Sequence, residues 1–142
     1  MSEQDFTKRL TIVVRKDIEG WQAANAIAHI AAYLGNRLGE DFDTGDAFIA
    51  ADGVAFPRNS QYPIILKSAD SSEALHEALS EARKEGVLYL AFARNMIDHS
   101  DDRELEESLR AKPSGEIELL GLGVFGENEQ IKALTKPFGL WK

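Results

Sequence analysis

Cysteine is absent from the 142 residues, which excludes thiol catalysis, cysteine-ligated zinc, iron–sulfur clusters and disulfide frameworks. No apolar run approaches the roughly 20 residues that a membrane-spanning helix needs. The polar, acidic start Met1-Ser2-Glu3-Gln4-Asp5 carries no secretory-signal pattern. A cytoplasmic location without membrane association is the expectation. Positive charge is scarce: 16 Lys+Arg stand against 24 Asp+Glu, for a net charge of −8. Nucleic-acid binders carry a basic footprint, so this balance disfavours a nucleic-acid partner. The chain also lacks internal repeats, low-complexity tracts and Ser/Pro-rich linkers. What remains is an ordinary globular composition, 44% hydrophobic and 28% charged, in a length that predicts one domain over 1–142 with its own core.

Arg9–Arg15 is a β-branched apolar run, which reads as a strand buried on both faces. An alanine-rich helix follows over Trp21–Leu38. Glu40–Gln61 reads as irregular, with one short strand at Ala47–Ala50 and a turn at Asp52-Gly53. Tyr62–Lys67 is a second long strand, with Pro63 near its start where no ladder donor is needed. Asp70, with Glu73 three residues on, predicts the cap of a helix whose apolar face is Leu75, Ala78, Leu79 and Ala82 and which Gly86 ends. Val87–Ala93 is a third strand. Asp101 and Glu104 start a short helix that turns Leu105 and Leu109 inward before Pro113. Ile117–Phe125 is a fourth strand, running into a last helix over Glu127–Lys136. Strands alternating with helices predict a three-layer α/β/α sandwich around a mixed four- or five-stranded sheet, with Val13, Ile65, Leu90, Leu120 and Val124 in its core.

Three motifs look like sites and read better as structure. Gly121-Leu-Gly-Val-Phe-Gly126 matches the dinucleotide string G-x-G-x-x-G, but no second strand and acid follow within the chain. Glu127 and Glu129 would also repel a phosphate from the helix that follows. The glycines therefore read as strand packing and a turn. Asp41, Asp43, Asp46 and Asp52 resemble a calcium loop, yet its glycine and glutamate positions hold Asp46 and Asp52. Asp98, His99, Asp101 and Asp102 read as a polar loop and a helix cap rather than a metal site, and His76 as solvent-exposed on a charged helix face. No cofactor or metal is expected.

The Trp21–Leu38 helix is more informative. At 3.6 residues per turn, Ala24, Ile27, Ala31, Leu34 and Leu38 predict one apolar face. Gln22, Asn25, His29, Tyr33 and Asn36 fall on the other side, and no charged residue stands between Glu19 and Arg37. Surface helices usually put lysine and glutamate outward. An uncharged polar face predicts contact with something other than bulk water: a ligand, a second subunit, or the Glu40–Gln61 stretch.

Several segments resemble peptidyl-tRNA hydrolase II: Thr11-Ile-Val-Val-Arg-Lys-Asp17, the alanine-rich helix with His29, and the ending Gly121-Leu-Gly-Val-Phe-Gly with Ile131-Lys-Ala-Leu-Thr-Lys. A related family of uncharacterised bacterial domains with that fold is the closer match. Its marks are Trp21-Gln22-x-x-Asn25, Asp52-Gly53, Tyr62-Pro-Ile-Ile-Leu66, the Gly121–Gly126 segment and Leu140-Trp141-Lys142. The resemblance implies the peptidyl-tRNA hydrolase II fold over nearly the whole chain. The enzyme's working residues do not carry over together. Its lysine is missing near Gly20–Gln22, its glutamine corresponds to Asn25, and its histidine falls at Ala28, one residue before His29. Its D-A-G-x-T loop has no counterpart in 98–116.

The expectation is thus a domain without peptidyl-tRNA hydrolase activity. It would bind a small polar ligand or a protein partner through Trp21, Gln22 and Asn25 at the first-helix face. Two alternatives stand beside it: an ester or amide hydrolase using His29 as base, and a homodimer formed through the same face.

Overall fold

The computed structural model describes residues 4–42 and 45–142. The first three residues of the acidic start, and Asp43 of the acidic loop, lie outside the described residues.

Strand β1 (Lys8–Arg15) occupies the middle of a five-stranded sheet ordered β5 (Leu88–Ala93), β6 (Leu119–Glu127), β1, β4 (Ile64–Ala69) and β7 (Gly139–Leu140). Its apolar run is explained by burial on both faces. Leu10, Ile12 and Val14 join one core, packed under α1 (Gly20–Leu38), while Val13 joins a second core under α2 (Ser72–Glu85) and the last helix. The strand pairs in parallel with β4 (Ile64–Ala69) and antiparallel with β6 (Leu119–Glu127). Strand β5 (Leu88–Ala93) pairs antiparallel with β6 and forms one edge. Strand β7 (Gly139–Leu140) closes the other edge against β4 and is too short to leave a periodic signal in the sequence. The mixed sheet therefore has five strands, with helices on both faces.

Helix α5 (Asn128–Leu134) packs beside α2, its Ile131 and Leu134 buried. A one-turn helix, α3 (Asn95–Asp98), and α4 (Asp102–Arg110) fill the connection from β5 to β6. Asp101 caps α4 as expected, accepting hydrogen bonds from the backbone N–H groups of Arg103 and Glu104 at 2.8 and 3.3 Å. Gly86 ends α2 at φ 69°, a left-handed position that glycine adopts without strain.

Several local expectations are corrected. The cap of α2 is Ser71, whose hydroxyl accepts from the Ala74 N–H at 3.2 Å, because Asp70 is turned away into a 2.6 Å ion pair with Lys16. His76 is half-buried, not solvent-exposed: its Nε2 lies 2.7 Å from the Ile117 carbonyl oxygen. Ile65 and Leu90 are half-buried, whereas Val13, Leu120 and Val124 are sealed. Within the stretch taken as irregular, two strands form instead of one. Strands β2 (Phe48–Ile49) and β3 (Ala55–Phe56) make a separate antiparallel hairpin.

The largest correction concerns α1. Its buried residues are Ala23, Ala26, Ile30 and Leu34, and Ala24 is exposed. Gly121 and Gly123 on β6 explain the rotation. A Cβ on Gly123 would stand 2.1 Å from Ile30 Cγ2 and 2.9 Å from Leu34 Cδ1, and one on Gly121 would stand 3.1 Å from Ile30 Cδ1. The glycine string is a trough that lets α1 press Ile30 against the sheet.

Candidate functional site

The rotation of α1 decides what its other side presents. Trp21, Ala24, Asn25, Ala28, His29, Ala32 and Asn36 are exposed, and none bears a fixed charge. The helix begins after Glu19, whose backbone N–H donates to Gln22 Oε1 at 3.2 Å. The oxygen of the Gln22 amide thus closes the helix start, as in a capping box. Trp21 is 59% exposed and its indole N–H donates to Glu19 Oε2 at 2.8 Å. The Asn25 amide makes no hydrogen bond among the described residues, so it does not seal the helix against the 52–61 segment. His29 lays its ring on Phe92, the centroids 5.6 Å apart and the planes 23° from parallel. No carboxylate is paired with its imidazole among the described residues. Tyr33 is half-buried and its hydroxyl accepts from Arg37 Nε at 3.1 Å.

The sequence-predicted site residues therefore share one side of α1. Trp21, Asn25 and His29 are exposed there, and Gln22 belongs to the scaffold. A general base needs its partners within hydrogen-bond reach and an oriented ring. His29 has the orientation, through Phe92, but no acid beside it.

A cleft of about 420 Å3 lies between Tyr33 of α1 and residues 87–91 at the β5 edge. Two larger concavities lie away from α1. One, of about 520 Å3, lies along β7 and the start of α2, where Lys16, Ser68, Asp70, Phe138 and Trp141 meet. Lys16 and Asp70 pair at its wall, which matches its charge internally. The other, of about 550 Å3, runs between α2 and 115–118 and carries Glu73, His76, Glu77 and Glu116.

At the carboxyl end of β1 the charges are more organised. Arg15 grips Asp17 through Nε and Nη2 at 2.9 and 2.7 Å, and reaches Glu118 through Nη1 at 2.9 Å. Arg94 binds the same Glu118 oxygen. The Arg15 hydrogen bonds hold the Asp17 carboxyl below its usual range, and Asp17 raises the Arg15 guanidinium in return. Sequence reasoning singled out Arg15 and Asp17 only as marks of resemblance. It missed Arg94 and Glu118, which lie 24 residues apart and meet only because β5 and β6 pair.

A family profile described as a protein of unknown function, DUF2000, matches residues 8–142. The chain belongs to that family. Among solved structures, a protein of unknown function from Agrobacterium tumefaciens is similar at a TM-score of 0.83 and 17% sequence identity, covering 97% of this chain and 100% of that one. At that identity the likeness speaks for the fold alone. No curated protein matches the chain.

Proposed function

We propose that this DUF2000 member is a domain of the peptidyl-tRNA hydrolase II type that lacks hydrolase chemistry and docks a protein partner on the exposed face of α1. One observation carries the reading: the face with exposed Trp21, Asn25 and His29 bears no charge between Glu19 and Arg37. A small ligand needs a concave site that buries most of its surface. An exposed, uncharged face with an aromatic anchor suits a protein. Against hydrolysis stand the unpaired imidazole of His29, the scaffold role of Gln22, and a net charge of −8 facing a polyanion.

Two measurements test this. Purified protein is expected to turn over labelled peptidyl-tRNA no faster than background; turnover that His29→Ala abolishes would overturn the loss of chemistry. A photo-crosslinking residue at Asn25 is expected to capture discrete protein adducts in the native cell, unlike one at the exposed Ser80 on α2. Equal patterns from the two positions would overturn the docking face.

A further inference from the structure

Strands β1 and β4 are neighbours, run parallel, and send their helices to opposite faces of the sheet. Helix α1 follows β1 and packs over Leu10, Ile12 and Val14, whereas α2 follows β4 and packs over Val13. Such a pair leaves a crevice at its carboxyl ends, the place where open α/β sheets bind ligands. The concavity of about 520 Å3 lies there. Lys16 follows the last residue of β1, Ser68 is the last but one of β4, and Asp70 follows its end. The strand ends are tied by the Lys16 N–H, which donates to the Ala69 oxygen at 3.1 Å. The outer wall is the 137–142 segment, fixed by the pairing of Gly139 with Ser68 and by the Trp141 N–H, which donates to the Leu66 oxygen at 3.0 Å.

We propose that this cleft binds a free α-amino acid with an aromatic side chain, its carboxylate on Lys16, its ammonium on Asp70 and its ring against Trp141 and Leu140. The site is separate from the exposed face of α1, and neither reading needs the other. Size admits the ligand, because small-molecule sites run to about 300–1,000 Å3. Composition singles the cleft out. The one at the β5 edge has no charged lining residue, and the one beside α2 is lined by glutamates and His76 with no lysine or arginine. Here a lysine and a carboxylate stand together beside exposed apolar surface.

Charge selects the head of the ligand. The Lys16 ammonium and the Asp70 carboxylate meet at 2.6 Å, yet their side chains are 62% and 79% exposed. Solvent screens so open a pair, and little holds it shut. A bound molecule shields both groups from water, and a charge shielded without a partner is costly. A plain anion would take Lys16 and strand Asp70, and a plain amine would do the reverse. A zwitterion pairs both again. The two charges of an α-amino acid stand on one carbon, which suits two partners that already touch. Trp141 and Leu140 select the tail: they are 40% and 64% exposed on the wall, where an aromatic ring gains apolar contact.

Titration of the isotope-labelled protein with L-phenylalanine, followed by amide NMR, tests the assignment. The backbone signals of Lys16, Ser68, Asp70 and Gly139 and the Trp141 indole signal are expected to shift together, with a Kd of about 1 mM or tighter. Phenylpropanoate lacks the ammonium, phenethylamine lacks the carboxylate, and L-alanine lacks the ring; each should bind about tenfold more weakly or worse. Lys16→Gln and Asp70→Asn, both at exposed positions, should each weaken L-phenylalanine about tenfold while their melting curves follow wild type. Should either variant melt early, the comparison of the four compounds on the wild-type protein decides alone. No shift by about 10 mM, shifts centred elsewhere, a truncated compound that binds as well, or binding indifferent to both variants would each overturn the site.

Discussion

On helix α1, Ile30 is sealed against Gly121 and Gly123, while Trp21, nine residues earlier, stands 59% exposed. The inner face is set by shape. Alanines at 23 and 26 bring the helix close, and two glycines on β6 remove the atoms that would hold it away. The outer face packs only lightly, through the His29 ring laid on Phe92. Folding explains why Ile30 is isoleucine and Gly123 is glycine; it does not explain why no lysine or glutamate appears between Glu19 and Arg37. A feature that folding leaves unexplained is where function is sought, and substitutions on the two faces separate the two demands.

The largest effect belongs to the inner side. Leu120 is fully buried in the core under α1, so Leu120→Ala should cost about 2–5 kcal/mol in chemical denaturation, through lost transfer energy and a residual cavity. A loss of a few tenths would mean that this core is not packed. Gly123→Ala tests the trough itself. Its new methyl would fall 2.1 Å from a branch methyl of Ile30, which cannot swing aside as a flexible chain end could. The expected cost is about 1–3 kcal/mol, with Gly121→Ala milder because its closest contact is 3.1 Å. Ile30→Leu removes the offending branch methyl, so the double variant should recover about 1 kcal/mol relative to additivity. Strict additivity would sink the trough account.

These contacts also mark where sequence reasoning worked and where it stopped. The glycines of 121–126 were legible as packing, because the dinucleotide reading failed on its own terms. Strand β1 was legible because Leu10 to Val14 is apolar apart from Thr11 and shows no alternating polar face. The existence of α1 was legible, but its rotation was not. Its alanines suit either face, and the residue that decides, Ile30, is recognised only against the glycines of a strand about ninety residues away. His76 was misread for the same reason: its partner, the Ile117 carbonyl, is 41 residues distant. Of the hairpin, the first strand within Ala47–Ala50 and the Asp52-Gly53 turn were legible; the second strand, Ala55–Phe56, was not, because a two-residue strand that faces solvent leaves no alternation. Of the candidate site, the uncharged face was legible and the scaffold role of Gln22 was not, since its bond to the Glu19 N–H shows only once the helix start is folded.

The outer face should respond weakly to the same kind of change. His29→Ala gives up the stacked contact with Phe92 and is expected to cost about 0.5–1.5 kcal/mol. Asn25→Ala gives up no hydrogen bond and gains helix propensity, so its stability should stay within about 0.5 kcal/mol of wild type. A destabilisation of Asn25→Ala comparable to that of Gly123→Ala would show that the outer face is a packing surface after all, and the comparison would collapse.

The smallest effect lies where β1 hands over to α1, and it is read in pH rather than in packing. Asp17 titrates below its usual 3.8 because Arg15 donates two hydrogen bonds to it. In the unfolded chain the same carboxyl takes up its proton near the ordinary value. Between the two values the unfolded state binds more protons than the folded one, so stability falls as the pH falls through that window. The contribution is whole above the ordinary value and gone below the lowered one. Arg15 stays charged throughout, its own guanidinium raised by the same bonds. Asp17 is about half exposed, and solvent screens such a pair to roughly 0–1 kcal/mol. Asp17→Asn should therefore be slightly less stable at neutral pH, with a shallower decline below pH about 4, and should meet wild type at strongly acid pH. Denaturation midpoints across that range decide it. Parallel acid limbs for the two proteins would mean that the entry into α1 is held by packing alone, like the inner face of the helix it leads to.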